Sequence, residues 1–397
     1  MFVFTMLSLK LISKIDTKLD VQGFYPNVAL PYILSYKYNG FSTRMFIGSI
    51  ISIFTTYIST KTIVLICLVF HFIFYVFIAV LVYIILKKDT NFLIYKIVLL
   101  CIVFPFSTLL GGEHYYFTDE FLLFMMIISL ISVNSKNKFT ITFIPILIGL
   151  LAHTVFIFSY YPTIFICHIY KILNHDITTN NRIKRIIYLV FELLIILMAF
   201  MFLFFISSKN INVDNLKNTI FIHSNFKSDY IDEFLNFEYN MSLYEKFNNS
   251  TGVFINSFGN VLRVIITYFL DLCYLLPFLY IYKQSYKNDT NKYKKYIYIL
   301  SLISIFSIIP LFIGLDFKRW IDYAISSQIV LMLFYLFNEE KIVSLECKNV
   351  FNKNIYIFCC ALVIISIFNY EKGGAQYNPV INKLILIAKI IYIKIIQ

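Results

Sequence analysis

The sequence predicts an all-α protein, a polytopic transmembrane helical bundle of about 11–13 spans with one large extracytoplasmic loop. Three observations predict it. First, 59% of the 397 residues are hydrophobic and only 14% are charged, with a mean hydropathy of +0.77. That is more apolar surface than a soluble domain can bury. Second, apolar runs of crossing length recur along the chain, so one transmembrane domain, 1–397, is a better reading than several soluble ones. Third, Lys and Arg gather in alternate short loops between those runs, as cytoplasmic loops retain them.

Residues 1–15 are apolar but interrupted by Lys10 and Lys14, and no small-residue cleavage site follows. This segment reads as an interfacial helix or a truncated first span. The clearest spans are 62–86, 186–206, 258–282 and 296–315, each close to the roughly twenty residues needed to cross. Shorter candidates are 45–59, 97–110, 120–133, 139–152, 155–170, 323–337, 355–368 and 380–396. Several of these are short enough to be tilted or half-inserted. Pro162 is expected to kink or start a returning helix, because proline lacks the amide donor.

One set of loops holds Lys37 and Arg44, then Lys87, Lys88 and Lys96, then Lys136 and Lys138. Lys171, Arg182, Lys184 and Arg185 continue it, followed by Lys283, Lys287, Lys292, Lys294 and Lys295, and by Lys341, Lys348 and Lys353. These loops are expected to be cytoplasmic. The intervening loops face outward: 111–119 carries carboxylates and His114, and 207–256 carries Asp214, Asp229, Asp232, Glu233, Glu238 and Glu245. The 207–256 loop mixes Asn and Ser with Phe and Tyr, which predicts a structured cap on the outer face.

A net charge of +12 would point to nucleic acid in a soluble protein. Here the cations lie between apolar spans and report orientation, so no nucleic-acid partner is expected. The seven cysteines, Cys67, Cys101, Cys167, Cys273, Cys347, Cys359 and Cys360, form no spaced metal motif and read as small buried hydrophobes. No Gly-rich phosphate loop, HExxH or serine elbow occurs, so cytoplasmic nucleotide chemistry has no support, and no metal or cofactor is expected. Mid-span charge is scarce; Glu192, near a cytoplasmic end, is the main candidate.

Three polar groups at outer span ends can carry chemistry. The first runs from Gly111 through Glu113, His114, Asp119 and Glu120, either a solvated loop or an acidic site with an imidazole. The second is His153 in Ala152-His153-Thr154-Val155-Phe156, where an apolar stretch must turn back on itself. A lone His there is either packed and hydrogen-bonded or a general base. The third is the outward turn holding Asp316, Lys318, Arg319, Trp320 and Asp322. Arg319 either pairs with Asp316 or Asp322 to shape the turn, or presents its planar fork to phosphate oxygens. Trp320, the only Trp, would anchor that turn at headgroup level. If these groups meet, His153 or Glu113 can take a proton from a sugar hydroxyl while Arg319 stabilises a departing phosphate or diphosphate. His114, Asp119, Asp316, Lys318, Trp320 and Arg44 would then contact substrate.

At these residues the sequence resembles bacterial polysaccharide repeat-unit polymerases of the Wzy type and similar EpsG-like membrane proteins. The resemblance rests on Gly40-Phe41-Ser42-Thr43-Arg44, on Ala152-His153-Thr154-Val155-Phe156 with Tyr160-Tyr161-Pro162, and on Gly314-Leu315-Asp316-Phe317-Lys318-Arg319-Trp320. Where such relatives often carry an acidic residue after the His, this chain has Thr154. The resemblance implies a multi-pass protein of the bacterial cytoplasmic (inner) membrane whose active site faces the periplasm or exterior. It implies glycosyltransferase-like polymerisation of polyprenyl-diphosphate-linked oligosaccharide, with membrane lipid and other polysaccharide-assembly proteins as partners. The alternatives are a flippase for the same lipid-linked saccharide, which needs charge deep in the spans, and a membrane acyltransferase, whose donor arrives from the cytoplasmic side.

Overall fold

The computed structural model describes residues 26–42, 44–88, 119–135, 139–173, 179–203, 212–227, 230–241, 244–245, 248, 275–305, 317–338 and 340–353. Among these every regular element is helical, and extended backbone pairs once, in a parallel bridge between Ile58 and Ser224. The expected spans at 97–110, 355–368 and 380–396, most of that at 258–282, and the amino-terminal segment 1–15 lie outside the described residues. The chain divides into two compact units, Met1–Lys88 with His114–Ser242, and Asp89–Glu113 with Leu243–Gln397.

The first unit opens with three short helices, α1 (Pro26–Ile33), α2 (Tyr36–Asn39) and α3 (Phe46–Phe54). At nine residues α3 is about 14 Å long, so the expected span 45–59 does not cross a bilayer as a helix. Instead α3 folds back on α1, and Gly48 makes this possible. A Cβ there would lie 2.0 Å from the Leu34 carbonyl oxygen, so only glycine admits the contact. The Tyr36 amide then donates to Ser49 Oγ at 2.8 Å.

Helix α4 (Thr60–Lys88) follows, with Ser59 Oγ accepting the Thr62 amide at 3.1 Å as an N-cap. It buries Ile63, Cys67, Phe74 and Ile78 on one stripe and leaves Leu65, Val69, Phe72, Ile73, Val76 and Val80 exposed. Among the described residues it is the one helix long and apolar enough to cross a membrane.

Five further helices and a 3₁₀ turn follow. Helix α5 (Asp119–Asn134) begins with two carboxylates that complement the positive end of its dipole. A 3₁₀ turn (Phe139–Thr142) leads into α6 (Phe143–Ala152), then α7 (Phe156–Ser159) and α8 (Tyr161–Leu173). Pro162 sits in the first turn of α8, where its missing donor is harmless, so the expected returning helix starts there. Helix α9 (Thr179–Met201) buries only Arg185, Leu189, Glu192 and Ile196. Its exposed face carries Ile183, Ile187, Val190, Phe191, Leu194, Leu197 and Met198.

The 207–256 loop is mostly helical where described. Asn212 caps α10 (Val213–His223) by accepting the Asp214 and Asn215 amides at 2.8 and 3.3 Å. Helix α11 (Ile231–Leu235) runs into a π-helical turn, Asn236–Asn240. This segment packs onto α1–α3. Thr219 Oγ1 donates to Asn39 Oδ1 at 2.8 Å, and the Thr60 amide donates to Asn225 Oδ1 at 2.8 Å.

These contacts correct one expectation. Arg185 donates to the Val133 and Ser135 carbonyls, so the start of α9 meets the end of α5. At the other end of α9, Phe200 meets Phe158 and Phe202 meets Phe41, with ring centroids 5.5 and 5.4 Å apart. Lys37 and Arg44 therefore share an end of the unit with 212–241, opposite Arg185. Lys87 and Lys88 close a helix about 43 Å long that starts at that same Arg44 end. Grouping Lys37 and Arg44 with Lys87, Lys88 and Arg185 on one side fails.

In the second unit, α12 (Leu276–Asn288), α13 (Lys292–Leu300), α14 (Phe317–Phe337) and α15 (Lys341–Lys353) are described. Of the expected span 296–315 the described part is helical, α13 ending at Leu300 and continuing as a 3₁₀ turn to residue 305, and the rest lies outside the described residues. Lys294 Nζ donates to both Glu340 oxygens at 3.0 and 2.8 Å, and Asn288 Nδ2 donates to Glu346 Oε1 at 2.7 Å. Lys341, Lys348 and Lys353 stand on a helix, not in a loop.

Candidate functional site

The described site residues of the first unit gather at the end that holds Arg44. Arg44 has φ of 61°, the left-handed region that a bulky side chain rarely occupies. The side chain shows what compensates. Its Nε lies 3.1 Å from Glu238 Oε1, and its guanidinium lies 5.8 Å from the Phe234 ring. Glu238 projects from the π-helical turn, a geometry that recurs at functional sites. Two irregular pieces of backbone thus meet in one ion pair, with the Arg44 side chain 19% exposed.

Phenols surround the pair. Burial pushes the Tyr239 phenol up from its ordinary value, Glu238 adds to the rise and Arg44 offsets part of it. Tyr36 is raised by burial alone, and its hydroxyl has no hydrogen-bond partner among the described residues. Ser35 Oγ and Ser42 Oγ are buried nearby in sequence and likewise lack partners. Such unsatisfied hydroxyls are uncommon and mark a place where a bound polar group would be stabilised.

His153 caps α6, its amide bonding the Gly149 carbonyl at 3.0 Å. Its backbone is extended, which reverses the chain, and Phe156 folds onto Gly149, where a Cβ would meet that ring at 2.7 Å. The ring is 5% exposed, and its Nδ1 accepts the Val155 amide at 3.2 Å. A neutral imidazole with Nδ1 accepting carries its proton on Nε2. His153 is therefore set as a donor, and service as a base through Nδ1 requires that amide to let go. Asp119 and Glu120 are buried at the start of α5; burial raises the Tyr32 phenol, Cys67 adds to the rise, and these two carboxylates add a smaller part. The acidic pair, His153 and Arg44 thus occupy the same end of the unit.

Lys318, Arg319 and Trp320 stand in the first turn of α14 in the second unit, not in the expected turn. Glu113, His114 and Asp316 lie outside the described residues. Among the described residues no group of His, Cys, Asp and Glu could hold a metal ion.

Sequence reasoning missed Glu238 as the partner of Arg44 and missed His168 altogether. Glu238 is one acid among six in its loop, and no local pattern singles it out. His168 and Glu192 face each other across α8 and α9, with Nε2 and Oε2 3.7 Å apart and neither side chain exposed. The signal for His168 was its i+7 spacing from Tyr161, which places both on one face of α8. No family model matches the chain, and no curated protein or solved structure matches it.

Proposed function

We propose that this chain is a multi-pass protein of the bacterial cytoplasmic membrane that polymerises polyprenyl-diphosphate-linked oligosaccharide at the outer leaflet. The observation that carries the membrane reading is the inverted polarity of α9. Its buried stripe holds Arg185 and Glu192, while Ile187 and Met198 are 64% and 63% exposed. A helix in water does the reverse, whereas one in lipid turns its charges inward. The exposed apolar face of α4 supports the same reading.

Support for the chemistry comes from the Arg44 end. Arg44 Nε lies 3.1 Å from Glu238, its guanidinium is a fork of the kind that suits an oxyanion, and His153 and Asp119 share that end. In this reading the roles expected from the sequence are kept as such, Arg319 for the departing diphosphate and Glu113 or His153 for the proton. A flippase for the same lipid-linked saccharide is the second reading, favoured by the intramembrane His168–Glu192 pair.

The test is the surface polysaccharide of cells lacking the gene, complemented with wild type, Arg44→Ala or Arg319→Ala. Loss of long chains with single repeat units still displayed supports the polymerase, with both variants failing to restore length. Repeat units retained inside the cell transfer the assignment to the flippase. An unchanged profile removes both.

A further inference from the structure

Four polar side chains meet across the α8–α9 contact, inside the apolar body of the first unit. Tyr161 and His168 lie seven residues apart on one face of α8, and Tyr188 and Glu192 lie four apart on α9. Tyr161 OH donates to Glu192 Oε1 at 3.4 Å, and His168 Nε2 is 3.7 Å from Oε2. The Tyr188 ring packs 5.9 Å from the imidazole, and its hydroxyl is within reach of the Glu192 carboxylate.

What distinguishes this group is how poorly it is satisfied. Among the described residues neither ring nitrogen of His168 has a hydrogen-bond partner, and Glu192 Oε2 accepts none. A fully buried carboxylate with one oxygen left without a donor is expensive as an anion, and a structural ion pair would close the 3.7 Å gap with a proper bond. A proton on Glu192 removes the charge. The neighbours do not offer another answer. Arg185 is the charge His168 senses, and it is held by two carbonyls and the Phe139 ring at 4.5 Å. Lys171 acts on Cys167. Helices α6 and α7 carry no titratable group, and those of α5, Asp119 and Glu120, stand at its far end.

One route leads out. Tyr188 OH donates to the Thr140 carbonyl and accepts the Phe143 amide, both at 2.9 Å, where the Thr140 contact is exposed. Tyr188 thus links the solvent at the Arg185 end to Glu192.

We propose that Glu192 and His168 form an intramembrane proton-binding site, loaded from the Arg185 end through the Tyr188 hydroxyl. Tyr188 passes its hydroxyl proton to the Glu192 carboxylate and takes another from water, so the phenol is restored. The site gives the protein a proton-dependent step whether it polymerises or translocates saccharide, and its test does not depend on either activity.

The experiment is infrared spectroscopy of the full chain in detergent micelles. A protonated-carboxyl band is expected that Glu192→Gln removes and that shifts on transfer to heavy water. The band should decline about tenfold for each pH unit above its midpoint. Tyr188→Phe should retain the band but slow its heavy-water shift several-fold. Should Glu192→Gln fail to fold, Tyr161→Phe makes the assignment, because removing the donor to Oε1 must move the band. Absence of any band sensitive to these variants means an ionised, locked pair and overturns the proposal. A band that never shifts in heavy water means a sealed site and overturns it equally.

Discussion

At the scale of single residues, Arg44 shows how a functional side chain can be recognised by the backbone it sits on. Its left-handed φ is unfavourable for any residue with a Cβ by about 1–2 kcal/mol. Arg44→Gly should therefore unfold at a higher denaturant concentration than Arg44→Ala, by about 1 kcal/mol, although both lose the pair with Glu238. Equal midpoints would mean that the strain is not there. Tyr239 makes a pH prediction. Its phenol is raised by burial, so its contribution is complete below the unfolded value of 10.0 and is lost as pH rises from there through the folded value. Tyr239→Phe should flatten the alkaline limb of the stability profile measured by circular dichroism. The motif around Arg44 was legible in the sequence, but Glu238 was not, because its separation from Arg44 in the chain hides the contact.

At the scale of elements, two glycines set how closely helices approach. Gly48→Ala would drive a Cβ against the Leu34 backbone carbonyl, which cannot rotate aside. Gly149→Ala would meet only the Phe156 ring. Overpacking of this kind typically costs about 1–3 kcal/mol, and Gly48→Ala should stand at the upper end or beyond it. Thermal unfolding should show Gly149→Ala partly rescued by Phe156→Leu, with no such rescue for Gly48→Ala. The long elements were readable: 62–86 became Thr60–Lys88 and 120–133 became Asp119–Asn134. The short ones were not, since 45–59 has the composition of a span but breaks after Phe54. Hydropathy records that a segment is apolar; whether it runs straight depends on a close contact such as Gly48 on Leu34.

At the scale of the whole molecule, the proposed membrane setting predicts sidedness. In a chain with its seven cysteines replaced, Lys37→Cys and Lys217→Cys should react with an impermeant thiol reagent from one face of sealed vesicles. Lys184→Cys should react only from the other. Labelling of all three from one face would dismantle the end assignment of the first unit. Basic-residue counting had put Lys37 with Lys184 because it scores charge by loop, whereas Arg44 is neutralised by Glu238 and no longer reports orientation.

What the sequence determined by itself is the helical class and the positions of α4 and α5. Those follow from apolar run length and local capping, which act over a few residues. It also located Arg44, His153 and Asp119 as polar groups at element ends. Only the tertiary structure decided that Arg44 meets Glu238, that His153 presents Nε2 as its donor, and that His168 faces Glu192. Each of those depends on which helix faces which, and helix packing is chosen by the fit of whole surfaces, information that no single stretch of chain contains.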